Sequence, residues 1–89
     1  MGIKQYAKKS LSVNEEEVFQ GYGLHYFDFN GGGNFAFYAV KYNGIALIVA
    51  SDGISSCATF TRGDASGPFI KVKSLASQSF RHFQLFCLE

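Results

Sequence analysis

The sequence predicts an α+β protein dominated by antiparallel strands. It reads as a five- or six-stranded meander or small barrel-like sheet with a short N-terminal helix, in a single domain over residues 1–89. Three observations carry that expectation. From Leu24 onward, apolar and polar residues alternate with the period of two that belongs to a pleated strand. Glycine-rich, Asn-Gly and Asp-Gly turns punctuate the alternation. Helix-start signals are concentrated ahead of it, between Ser12 and Gly21.

Those N-terminal signals are specific. Ser12 with Glu15 fits an S-x-x-E capping box, and Asn14 is an alternative cap. Glu15, Glu16 and Glu17 suit the positive end of a helix dipole, while Gly21 is placed to end the helix in a left-handed cap. An earlier helical turn over 5–9 would precede it.

The first predicted strand, LHYFDF (24–29), sets His25, Phe27 and Phe29 on one face and Leu24, Tyr26 and Asp28 on the other. FNGGGN turns the chain into a second strand, NFAFYAVKY (34–42). Asn43-Gly44 is a strong hairpin signal, because a type I′ turn needs positive φ at both central positions. IALIVAS (45–51) is apolar almost throughout and reads as a strand buried on both faces. After Asp52-Gly53 come a strand over 56–62, a loop over 63–67, and a strand over 68–74 with Ile70 and Val72 opposite Lys71 and Lys73. The final stretch alternates Phe80, His82 and Gln84 against Arg81, Phe83 and Leu85, with a short helix over 75–80 as its expected lead-in. One short helix covers only part of a sheet face, so barrel closure or a second copy of the chain must cover the rest.

Composition narrows the function. Of the 89 residues, 47% are hydrophobic, 17% aromatic and only 17% charged, against about 25% charged in ordinary chains. Such a surface exposes aromatic rings or is covered by a partner. The net charge of +1 disfavours a general nucleic-acid binder, which carries a strongly basic patch. Lys4, Lys8 and Lys9 precede no apolar h-region, so no secretory leader is expected. The longest apolar run, Ile45 to Ala50, falls far short of the roughly 20 residues a membrane helix needs. Cys57 and Cys87 lack metal-type spacing and read as buried free thiols in a reducing cytoplasm.

Several motifs invite chemistry and do not sustain it. Gly31, Gly32 and Gly33 are followed neither by the Lys-Ser or Lys-Thr of a phosphate-binding loop nor by a helix, and a hairpin turn accounts for them. Phe35-Ala36-Phe37 reproduces the F/Y-G/A-F core of an RNA-recognition strand, but Asn34 and Gly33 stand where that motif has Gly and a basic residue. An isolated aromatic stripe is by default packing, so Phe35 and Phe37 are expected in the core. A cysteine nucleophile would need Cys57 beside His25 or Cys87 beside His82, and the latter two fall on opposite faces of one strand. Two His, two Cys and Asp28 supply no close ligand pair for zinc. Arg62-Gly63-Asp64 matches an adhesion tripeptide but sits where a turn is expected.

The expectation is therefore a non-enzymatic binding module without cofactor or metal, acting by covering the surface of another protein. Small inhibitors of host enzymes or defence complexes, including anti-CRISPR-like accessory proteins of phages and mobile elements, fit this size and composition. Tyr22, His25, Asn34, Tyr42 and Arg62, on turns and aromatic edges, are the candidate contacts. A homodimer is a further expected partner. The alternative is a nucleic-acid-binding sheet using Phe35 and Phe37 with Lys41, Lys71 and Lys73.

Overall fold

The computed structural model describes the backbone of residues 3–42, 44–63 and 69–88, and side chains over 9–42, 44–63 and 69–85. The described residues form eight strands, β1 (Ile3–Leu11), β2 (Glu16–Gln20), β3 (Tyr22–Phe29), β4 (Asn34–Lys41), β5 (Gly44–Ala50), β6 (Ala58–Arg62), β7 (Phe69–Ser74) and β8 (Gln78–Leu88). They form a five-stranded sheet in the order β1-β8-β3-β4-β5 and a three-stranded sheet in the order β2-β7-β6. Every pairing is antiparallel.

The mostly antiparallel β class is as expected; the predicted meander with a helix is corrected. Among the described residues the only helical segment is a 3₁₀ turn, Ile54–Ser56. The expected N-terminal helix is instead a corner and strand β2. Half of the capping box does form: Ser12 N–H donates to the Glu15 carboxylate at 2.8 Å. Asn14, at φ 67°, then turns the chain. Asn14 N–H donates to Ser74 O at 2.7 Å and Ser74 N–H to Glu15 O at 2.9 Å, tying the corner to the end of β7. Strand pairing wins because a two-turn helix is marginal alone. As a strand, this segment buries Phe19 and sets Glu16 opposite Lys73. Residues 5–9 belong to β1, not to a helical turn. At 75–77 the expected helix is a turn, held by Leu75 N–H to Cys57 O at 2.8 Å and by Gln78 Nε2 to the same oxygen at 2.7 Å.

The two sheets pack face to face, with aromatic rings filling the space between them. Phe27, Phe29 and Phe80 from the large sheet are fully buried, as are Ile70 and Val72 from the small one. Phe19 meets Phe27 at 5.6 Å and stacks on His82 at 4.1 Å, while Phe60 meets Phe27 at 5.1 Å and Tyr38 at 4.8 Å. These centroid spacings are those of favourable ring pairs. At one side the sheets are also pinned by Lys9 Nζ to Glu17 at 2.8 Å.

Two histidines lie within this core. His25 Nε2 is 2.9 Å from Gly21 O, and His25 Nδ1 is 2.8 Å from His82 Nε2. A carbonyl only accepts, so His25 Nε2 carries the proton and its Nδ1 is the acceptor. His82 Nε2 must then donate, which leaves His82 Nδ1 as a bare, buried acceptor without a partner. Burial lowers the pKa of both rings; His82, which also faces His25, is pushed down to about 3.

Asn43 of the expected Asn43-Gly44 turn, residues 64–68 including Asp64, and the Cys87 side chain lie outside the described residues, while Gly44 is the first residue of β5. At the glycine turn, Asn30, Gly31 and Gly32 all take positive φ, which explains that run without a ligand. β5, expected to be buried on both faces, is instead the free edge of the large sheet. Leu47, Ile48 and Val49 are exposed at this edge.

Candidate functional site

The face of the large sheet turned away from the core is the most distinctive surface on the molecule. Period-two alternation that buries Phe27, Phe29, Phe80 and His82 sends their neighbours outward. The strand registers then assemble those neighbours into rows. One row runs across β8, β3, β4 and β5 as Phe83, Tyr26, Phe37 and Val49. Beside it on one side lie Leu85, Leu24, Ala39 and Ala46. On the other lie Arg81, Asp28 and Phe35.

The rings contact one another in the plane of the face. Tyr26 meets Phe37 edge-on at 4.6 Å and Phe83 at 5.8 Å, and Phe35 meets Phe37 at 6.3 Å. Each is half-buried, so every ring keeps surface open to solvent. This corrects the expectation that Phe35 and Phe37 are core residues. The inner positions of β4 belong to Ala36, Tyr38 and Val40, which alternate with them.

One ion pair is set into the same face. Arg81 donates to Asp28 through Nη2 at 2.6 Å and through Nε at 3.1 Å, and Tyr26 O–H adds a third donor at 3.2 Å. Asp28 is only 1% exposed, while the Arg81 side chain is 41% exposed. Arg81 thus lies over Asp28 as a lid, with its guanidinium carbon also 5.9 Å from the Phe83 ring centroid. Burial, then the Asp28 charge, pushes the Tyr26 phenol pKa up. A cleft of about 470 Å³ opens beside this pair, bounded by Ser10, Ser79 and Gly31 of the glycine turn.

The residues singled out from sequence do not converge. Phe35, Phe37 and Lys41 share the outer face, whereas Lys71 and Lys73 lie on the small sheet, on the opposite side of the sandwich. Lys71 there is 4.0 Å from Glu16. Tyr22, Tyr42 and Arg62 fall at the end of the sandwich where β3 begins and β4 and β6 finish, and Asn34 lies at the other end. Tyr42 is 75% exposed. His25, expected as a contact, is fully buried in the core and offers no surface to a partner.

Tyr26, Asp28, Arg81 and Phe83 were not among the sequence-derived contacts. The alternation of each strand was readable, but β3 and β8 are neighbours across most of the chain, and no local pattern announces that pairing. For cysteine chemistry, Cys57 is buried and both ring nitrogens of His25 are taken by His82 and Gly21. Among the described residues no three His, Cys, Asp or Glu side chains converge as metal ligands, and no helix is long and apolar enough to cross a membrane. No family model, curated protein or solved structure matches the chain.

Proposed function

We propose that the protein is a non-enzymatic binding module that covers a surface of another protein with the outer face of its large sheet. The observation that carries this reading is the aromatic row of Phe83, Tyr26 and Phe37, contiguous, half-exposed and bordered by aliphatic residues. Interface centres favour aromatic residues and Arg and disfavour Lys and Glu, and Arg81 over Asp28 lies beside this row. Inhibition of a host enzyme or defence complex is the biological role that suits a small covering protein of this kind. Its compartment on this reading is the cytoplasm, where a buried free thiol such as Cys57 stays reduced.

A second reading has a specific observation in its favour: Phe35 and Phe37 face outward, as base-stacking rings must. Against it, Lys71 and Lys73 lie on the other sheet and cannot track a backbone held by those rings.

The test is capture of partners by tagged protein, comparing a Phe35→Thr/Phe37→Thr variant with a Lys71→Ala/Lys73→Ala variant. Loss of a stoichiometric protein partner in the first variant, with retention in the second and through a high-salt wash, is the expected result. Nucleic acid that is released by salt would instead establish the second reading. A protein partner that both variants retain would move the interface off this face.

A further inference from the structure

The two edges of the large sheet are unlike. β1 (IKQYAKKSL) carries three lysines, a standard protection against strand addition. β5 (GIALIVA) carries no charge and no proline over seven residues. Its Leu47, Ile48 and Val49 are 54%, 59% and 49% exposed. A bulge at Ile48 interrupts the pairing with β4 only there, with Ile45 to Leu47 paired on one side and Val49 and Ala50 on the other. It turns three successive apolar side chains to solvent instead of alternate ones. Among the described residues no strand pairs with the outer side of β5, so the edge is apolar in side chains and open in backbone.

We propose that β5 is a self-association edge, on which a second copy of this chain pairs its own β5 antiparallel, about a two-fold axis normal to the sheet. The charges flanking the strand select that occupant. Exposed Lys41 lies opposite Gly44 at one end, and exposed Asp52 follows Ser51 at the other. An antiparallel pairing centred on Leu47 and Ile48 sets Gly44 opposite Ser51 of the second copy. Lys41 then lies two strand spacings, about 10 Å, from the second copy's Asp52, a gap the two side chains span together. The symmetry makes this contact twice, and nothing like-charged meets along the strand. Ser51 bonds Phe35 through Oγ at 3.0 Å and through its N–H at 2.9 Å, which holds the Asp52 end in place. The axis keeps both outer faces on one side, so the two aromatic rows join through Val49 into one ten-strand surface. This pairing is independent of what that surface binds.

The test is sedimentation across a concentration series of the full chain, with Ile48→Lys, Lys41→Asp, Asp52→Lys and the combined Lys41→Asp/Asp52→Lys variant. The expected result is a monomer–dimer equilibrium that Ile48→Lys abolishes while leaving the melting temperature close to that of the parent. Each single reversal weakens the dimer by about tenfold, and the combined swap restores it. A monomer at every concentration, or a dimer that Ile48→Lys leaves intact, overturns the proposal. Single reversals without effect, or a swap that does not restore pairing, overturn the antiparallel two-fold arrangement. A foreign strand captured at β5 by protein that never dimerises overturns the choice of occupant.

Discussion

His82 holds a bare ring nitrogen inside an aromatic core, and the cost of such an unpartnered acceptor is about 1–3 kcal/mol. Neither His25 nor His82 accepts a proton readily while folded, whereas both do so near pH 6.5 when unfolded. Stability is therefore fully present above pH 6.5 and is lost as pH falls toward His82's folded value of about 3. Between pH 7 and 5 the His82 contribution alone amounts to about 2 kcal/mol. Urea midpoints at the two pH values measure it, and His82→Phe should flatten the dependence. At pH 7 that variant stays within about 1 kcal/mol of the parent, since it exchanges one orphaned acceptor, His82 Nδ1, for another, His25 Nδ1. Asp28→Asn strips the charge from beneath Arg81; because Arg81 is part-exposed and can be rehydrated, the loss is about 1–2 kcal/mol by thermal melting. Tyr42→Ala, at an exposed position, leaves the melting temperature unchanged. At this scale His25 was expected as a surface contact, and only the grouping of His25, Phe27 and Phe29 on one face of the strand was legible from alternation. That His25 would end against His82 was not, because each needed the other strand to define its surroundings.

Strand β2 and its exit show where local signals mislead and where they hold. Ser12 and Glu15 make the contact their spacing implies, in a corner and not a helix. What overrode the helix is β7, whose Ile70 and Val72 are fully buried and whose flank is completed by β2. Gly21, read as a helix stop, is instead the single residue that carries the chain from the small sheet to the large one. It has φ 113°, and a Cβ there would overlap Gln84 Nε2. Gly21→Ala should cost about 1–3 kcal/mol, measured by denaturant unfolding, with most of the loss removed by shortening the facing side chain in Gly21→Ala/Gln84→Ala only if the clash outweighs the dihedral strain. The β3–β4 hairpin was legible because both strands and their glycine turn are contiguous. β5 was recognised as a strand but given the wrong surroundings, since unbroken apolarity describes a buried strand and a sticky edge equally well.

Across the whole molecule, the large sheet is a local meander, β3-β4-β5, extended by two strands from opposite ends of the chain. β8 inserts between β3 and β1, and Ile3 pairs opposite Leu85. Alternation supplies strands, and turns supply neighbours, but partition into two sheets depends on contacts with no sequence proximity. The same closure governs time. Before β1 can dock, β8 must exist, so during synthesis β1 waits without its sheet neighbour until β8 has emerged from the ribosome. Long-range pairings of this kind slow folding, because chain entropy is lost before contacts compensate. Tethering β8 to β1 through a short linker, and opening the chain at the solvent-exposed Gly31–Gly33 turn instead, would convert the most distant pairing into a hairpin. Refolding of that permutant, followed by stopped-flow, should be faster than that of the parent.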